Sequence, residues 1–284
     1  MADLSNYKTL SKILERNGFN LKKSLGQNFL IDPTVCPQMA DEACADADAI
    51  IEIGPGAGVL TVELAKRAKK VVSIEIDQKL KPVLKETLAD YDNVEVVFGD
   101  VMKIDLNKLI DEKLKGMKIA VCANLPYYIT SPIIMMLLES NLSIESITVM
   151  VQKEAADRLC AEMGTRECGA VTAAVRFYCT PYLLFNVPRD SFMPPPNVDS
   201  AVIKLDVSGK EKEYDVDPAD FFKVIKAAFS MRRKTLVNCL SNGLKMNKEA
   251  VYEALDKCEI DRNVRGEQLS MEHFVSIAKI LIRK

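Results

Sequence analysis

Asn124-Leu125-Pro126-Tyr127 directly follows the apolar run Lys118-Ile119-Ala120-Val121-Cys122-Ala123. An amide acceptor, a backbone carbonyl and an aromatic plate therefore sit at the end of a strand-like segment. The Asn124 side-chain oxygen and the Leu125 carbonyl can accept hydrogen bonds from an NH2 group, and Tyr127 can stack on a ring. In an open α/β sheet the ligand crevice lies beyond the carboxyl ends of the strands, so these groups converge on whatever binds there. The set suits a flat base carrying an exocyclic amine. Four residues alone are also compatible with a strand-terminating turn, and a second motif decides between the two.

That motif is Glu52-Ile53-Gly54-Pro55-Gly56-Ala57-Gly58, placed between the apolar run Ala49-Ile50-Ile51 and Val59–Ala65, whose apolar spacing is helical. Gly54 and Gly56 let the backbone turn tightly and approach a ligand without a β-carbon between them. The spacing is G-x-G-x-G, not the G-x-G-x-x-G of dinucleotide binding. Glu75 closes the next strand-like run, Val71–Ile74, where a carboxylate can accept both hydroxyls of a ribose. Asp100 follows the third run, Val94–Phe98, where it can accept an adenine amino group. Glu75 and Asp100 then read the two halves of an adenosine. No G-x-x-x-x-G-K-[ST] phosphate cradle is present, which favours S-adenosylmethionine over a nucleotide. The single histidine, His273, lies far from these motifs, and no nucleophile has a paired base. Methyl transfer needs neither, because a sulfonium methyl is already activated and the protein has mainly to align donor and acceptor.

The elements that must hold these residues alternate in type. Strand-like and helical runs succeed one another from Ala49 to Val151, the pattern of an α/β protein with a parallel sheet covered on both faces. Tyr182–Val187 and Ala201–Val207 lack an intervening helix and are expected to form an antiparallel hairpin at the sheet's edge. Tyr7–Arg16 carries Leu10, Ile13 and Leu14 at helical spacing with Gly18 as its stop, and Asp32-Pro33 reads as an N-cap followed by a first-turn proline. After Ser208-Gly209 a charged linker leads to helical patterns at 221–229, 235–240, 248–257 and 271–282. The expected division is a catalytic domain, 1–208, binding S-adenosylmethionine, and a small helical domain, 209–284, contacting RNA.

Four motifs in order, Lys22-Lys23-Ser24-Leu25-Gly26-Gln27-Asn28-Phe29-Leu30, Glu52–Gly56, Asn124–Tyr127 and Phe192-Met193-Pro194-Pro195-Pro196-Asn197-Val198-Asp199-Ser200, closely resemble the small-subunit ribosomal RNA adenine dimethyltransferases. The similarity runs from Leu21 to the C-terminus. It implies a Rossmann-like class I methyltransferase sheet and N6,N6-dimethylation of two adjacent adenines near the 3′ end of small-subunit rRNA. By the same resemblance Gln27, Asn28, Leu30, Gly54, Glu75, Asp100 and Asn124 match cofactor-contacting positions. The linker from Lys22 to Leu30, following the first helix, is expected to close over the cofactor. The nearest rival is an Erm-type methyltransferase acting on large-subunit rRNA. Ala228–Leu236 and Phe192–Ser200 look more like the small-subunit enzymes. A binding-only ribosome-assembly factor is a further alternative, against which intact Glu75, Asp100 and Asn124 argue.

An adenine can present N6 only when unpaired or extruded. Tyr127 offers one stacking face, and Phe192, beside Pro194-Pro195-Pro196, is the candidate for another; its alternative role is core packing. The net charge of −2 argues mildly against RNA binding, but it is unevenly spread, +3 from Val207 onward and −5 before it. Lys22-Lys23, Lys66-Arg67 with Lys69-Lys70, Arg232-Arg233-Lys234 and Arg262 with Arg265 are the candidate phosphate contacts, Arg232-Arg233-Lys234 foremost. Eight cysteines without a C-x-x-C pair read as reduced core thiols in a cytoplasmic protein, with no metal site. The longest apolar run, Ile133–Leu138, is too short to span a bilayer, and no signal pattern opens the chain. The expected substrate is rRNA within a particle resembling an immature small subunit, bound by a monomer.

Overall fold

The computed structural model describes residues 4–19, 29–208, 214–231 and 233–282. They form two compact units, Met1–Ala156 with Tyr182–Ser208, and Asp157–Pro181 with Gly209–Lys284.

The first unit is built on a seven-stranded sheet. Its strands are β2 (Ala49–Ile53), β3 (Lys70–Glu75), β4 (Val94–Phe98), β5 (Ile119–Asn124), β6 (Ser146–Gln152), β7 (Thr180–Val187) and β9 (Ser200–Asp206), in the order β4-β3-β2-β5-β6-β9-β7. Pairings from β4 through β6 are parallel, and β9 runs antiparallel to β6. Parallel strands need crossovers, which helices provide, so central strands are buried on both faces. Every residue of β2 is buried, Glu52 included. The order reverses between β2 and β5, and a crevice opens at such a switch point, beyond the carboxyl ends. Glu75 and Asn124 are the last residues of their strands, and Glu52 is the last but one of its own.

Helices α2 (Val35–Cys44) and α3 (Val59–Ala65) bury Val35, Met39, Ala40, Leu60 and Leu64 against Ile50, Val71, Ala120 and Cys122 on one face. Helix α1 (Tyr7–Arg16) is N-capped by Asn6, whose side chain accepts from Lys8 N–H and Thr9 N–H, and it buries Leu10, Ile13 and Leu14. These pack with Val83 and Leu84 of α4 (Lys81–Thr87). Helix α2 begins two residues later than Asp32-Pro33 suggested. Asp32 instead accepts from the Thr34 N–H at 2.9 Å and hydroxyl at 2.7 Å, a local turn that competes with a helix start. The edge arrangement also has one more piece than expected. Between β7 and β9 a short strand, β8 (Phe192–Met193), pairs antiparallel with β1 (Phe29–Leu30).

In the second unit α8 (Ala170–Tyr178), α9 (Pro218–Ala228), α10 (Leu236–Leu244), α11 (Lys248–Lys257) and α12 (Met271–Leu281) enclose a core around Phe221, Leu240, Leu255 and Phe274. Asp217 caps α9 ahead of Pro218. Gly243 of α10 is glycine because a β-carbon there would fall 2.6 Å from that of Ala227 in α9. The expected boundary at 208/209 matches one edge of this unit. Asp157–Pro181 also belongs to it, contrary to the division drawn from sequence. The reason is that Phe177 of α8 stacks on Phe221 at 4.5 Å between ring centres, a pairing across 44 residues that periodicity does not reveal.

Candidate active site

A cavity of roughly 280 Å3 opens at the carboxyl ends of β2, β3, β4 and β5. Gly54, Gly56, Glu75, Asp100, Asn124, Leu125, Pro126, Tyr127, Leu30 and Phe192 all line it. The fold thus gathers residues drawn from six separated stretches of chain.

The glycine turn has φ of +72° at Gly54 and +58° at Gly56, the left-handed region that favours glycine. A β-carbon at either position would meet only open space, which is the backbone exposure a ligand needs. Gly56 N–H donates to Glu75 Oε2 at 3.2 Å, and Asp77 N–H donates to Oε1 at 2.8 Å. Each Glu75 oxygen keeps acceptor capacity beyond these bonds. Burial raises the Glu75 pKa above its ordinary value, and the two backbone donors oppose that shift. Asp100 Oδ1 accepts from Met102 N–H at 3.0 Å, while Oδ2 lies 3.6 Å from the exposed Lys103 ammonium.

Beneath the glycine turn Glu52 is buried and faces α3. Its Oε2 accepts from the hydroxyls of Thr61, at 2.7 Å, and Ser73, at 2.6 Å. Among the described residues its Oε1 has no partner, and burial pushes the Glu52 pKa up to about 7. The network joins β2, α3 and β3 where the turn leaves the sheet.

Asn124 closes β5 opposite Met150 and is half-buried; Leu125 is buried. Among the described residues none donates to the Asn124 side-chain oxygen or to the Leu125 carbonyl. The next carbonyl, that of Pro126, is occupied by Ile129 N–H at 3.1 Å and the Thr130 hydroxyl at 3.2 Å. Two acceptors are therefore open at the cavity and the third fixes the turn. Tyr127 is half-buried, and its hydroxyl is bonded to that of Ser200 at 2.8 Å. Phe192 is 4% exposed and belongs to the core cluster, while an edge of it lines the cavity. Gln27, Asn28, Lys22, Lys23 and Arg232 lie outside the described residues.

Ile76 and Val101 line the same cavity and were not anticipated. Each directly follows the acid at its strand end, Glu75-Ile76 and Asp100-Val101. This repeated acid–aliphatic pair was the signal that could have found them: it places one polar and one apolar side chain at each of two neighbouring strand ends.

The basic clusters separate on inspection of their partners. Lys66 pairs with Glu63 at 2.6 Å, Arg67 with Asp41 at 2.5 Å and Lys69 with Asp48 at 2.6 Å. Arg262 pairs with Asp256 at 2.5 Å while lying over the Tyr252 ring. Arg233 and Lys234 are exposed, and no carboxylate of the described residues pairs with either.

A family model described as ribosomal RNA adenine dimethylase matches residues 18–283. This chain belongs to that family. The dimethylase is 47% identical to the ribosomal RNA small subunit methyltransferase A of Alkaliphilus oremlandii, with 100% of both chains covered. It is 46% identical to the protein of the same name from Clostridioides difficile, covering 100% of this chain and 99% of that one. Among solved structures, a dimethyladenosine transferase from Plasmodium falciparum aligns with a TM-score of 0.70 at 27% identity, covering 86% of this chain and 94% of that one. The 23S rRNA methyltransferase ErmE aligns with a TM-score of 0.68, also at 27% identity, covering 89% and 99%. The fold is thus the Rossmann-like class I methyltransferase fold, and the cofactor of the dimethylase is S-adenosylmethionine. The cavity suits that group: Cβ-free backbone at Gly54 and Gly56, acceptors at Glu75 and Asp100, and apolar cover from Ile76 and Val101. Among the described residues no helix is long and apolar enough to cross a membrane.

Proposed function

We propose that this chain dimethylates N6 of two adjacent adenines near the 3′ end of small-subunit rRNA, presented within an immature small subunit, and that it works as a cytoplasmic monomer. The observation that carries this reading is the contrast between fold and sequence. The two solved relatives, one a dimethyladenosine transferase and one acting on 23S rRNA, fit almost equally in shape. Identity of 47% over the full length lies with the small-subunit methyltransferases, against 27% with ErmE.

When bound, S-adenosylmethionine supplies an already activated methyl group. Glu75 and Asp100 would hold its adenosine, with Gly54, Gly56 and Leu30 bordering it. The chain's own work falls on the adenine. Its N6 lone pair is delocalised into the ring and is a poor nucleophile. Hydrogen bonds from the amine to Asn124 Oδ1 and the Leu125 carbonyl draw the nitrogen toward a pyramidal geometry. As positive charge develops on that nitrogen, the two oxygens stabilise it, which is electrostatic preorganisation without a base. After one methylation the amine retains a single N–H, so the two acceptors then compete for one donor. Tyr127, tethered through Ser200, offers its ring to the base, and Phe192 lines the same cavity. In the second unit Arg233 and Lys234 carry unpaired charge suited to phosphates.

Purified chain should transfer label from methyl-labelled cofactor to immature small subunits lacking the modification, and mass spectrometry should then find two dimethyladenosines in their rRNA. Label appearing instead in large-subunit rRNA would sink this reading in favour of an Erm-type activity. Particle binding without cofactor binding would favour a purely structural role.

A further inference from the structure

Tyr128 is 73% exposed, the largest value among the exposed large apolar side chains of the described residues, and it lines the same cavity as Asn124 and Tyr127. Its backbone is held: the turn containing it is closed by the two bonds to the Pro126 carbonyl, and Thr130 beyond it is buried. Among the described residues its ring stacks on no other aromatic, and its hydroxyl has no hydrogen-bond partner. The neighbouring ring differs on every count, since Tyr127 is half-buried and bonded through its hydroxyl to Ser200. Two consecutive aromatics at one cavity thus divide into an anchored ring inside and a free ring at the mouth. An aromatic face in water with no packing role is a stacking platform waiting for a flat partner. Ile76, 68% exposed, adds a second apolar surface to the same cavity lining.

We propose that Tyr128 stacks the unpaired nucleobase next to the target adenine, holding the strand in register while that adenine occupies the slot of Asn124 and Leu125. This rests on the adenine-methylating reading of the site. An extruded adenine leaves its neighbour without a stacking partner on one side, and a tyrosine face replaces that partner whatever the base. Where two consecutive adenines are modified, the neighbour is the other substrate, and the platform keeps it beside the slot between rounds.

The test compares wild type with Tyr128→Ala, Tyr128→Phe and Tyr128→Trp on immature small subunits, using purified full-length chain. In Tyr128→Ala the KM for the particle should rise about tenfold, in line with the loss of one base-stacking contact. Cofactor affinity and melting temperature should stay at wild-type values, because the side chain neither packs nor bonds. Products carrying one modified adenine should accumulate. Tyr128→Phe and Tyr128→Trp should restore KM and the doubly modified product, since the ring face and not the hydroxyl is needed. Wild-type KM and product distribution in Tyr128→Ala would overturn the proposal, as would failure of Tyr128→Phe to restore them. If wild type itself transfers no methyl group to the particle, the underlying reading fails first, and that outcome is distinct from either.

Discussion

The Tyr127 phenolic oxygen lies 2.8 Å from the Ser200 hydroxyl oxygen, joining the tetrapeptide after β5 to the first residue of β9. Ser200 is fully buried and pairs in the sheet with Gln152, so it is a rigid anchor. The bond fixes the far end of the Tyr127 side chain, and with it the position of the ring, at the cavity. It also explains why the motif ending in Ser200 belongs to the site although 73 residues separate the two.

Tyr127→Phe removes one partner and strands the buried Ser200 hydroxyl, which should cost about 1 to 3 kcal/mol of stability. The double variant with Ser200→Ala should recover part of that loss. Denaturant unfolding of the four proteins in a double-mutant cycle measures the coupling, and additive losses would mean the bond contributes nothing.

Asn124→Ala should lower the methyl-transfer rate constant roughly 100-fold, the effect of losing one preorganised acceptor. Cofactor affinity should fall much less. Single-turnover kinetics beside calorimetric titration of cofactor separate the two, and an unchanged rate would refute the role of Asn124 on the amine.

Glu52 gives a pH dependence whose sign follows from its raised pKa. The native state holds the proton more tightly than the unfolded chain, so this stability is complete below pH 4.5 and is lost as pH rises through about 7. The loss is on the order of 3 kcal/mol if the whole shift is realised. Glu75, also raised, adds to it in the same direction. Glu52→Gln still accepts from Thr61 and Ser73 without ionising, so its melting temperature should vary less between pH 5 and 8. Equal pH slopes for the variant and wild type would show that Glu52 is ionised throughout.

Gly58 sits at φ +89°, and an added β-carbon would come within 3.0 Å of Thr87 Oγ1 and 3.3 Å of Leu88 Cδ2. Gly58→Ala should therefore destabilise by about 1 to 2 kcal/mol and weaken cofactor binding by shifting the glycine turn. Thermal melts with and without cofactor check both effects.

Replacing Arg233 and Lys234 together with alanine should weaken particle binding and flatten its dependence on salt by up to about two units of log–log slope. The paired cations Lys66, Arg67 and Lys69 should give smaller changes when replaced. Filter binding across a salt series distinguishes the two groups, and cofactor affinity should not move in either.

The residues that bear the chemistry could be named without coordinates because each lies within a few positions of an apolar run that must become a buried strand. Asn124, Glu75, Asp100 and the glycines are placed by local order: strand, turn, helix. The helices of the second unit were readable for the same reason, their apolar spacing being a property of one segment. Contacts between distant segments left no such trace. The Tyr127 tether to Ser200, the strand pair of Leu30 with Phe192, and the triad of Glu52, Thr61 and Ser73 appear only once the sheet order sets those residues side by side. So does much of the fate of the surface charges: Arg67 and Lys69 look like part of an RNA-binding patch in one dimension, but folding brings Asp41 and Asp48 against them, whereas the Lys66–Glu63 pair is a local i,i+3 contact. Local periodicity decides what a segment becomes, whereas charge pairing and side-chain anchoring depend on which segments meet, and packing in three dimensions alone determines that.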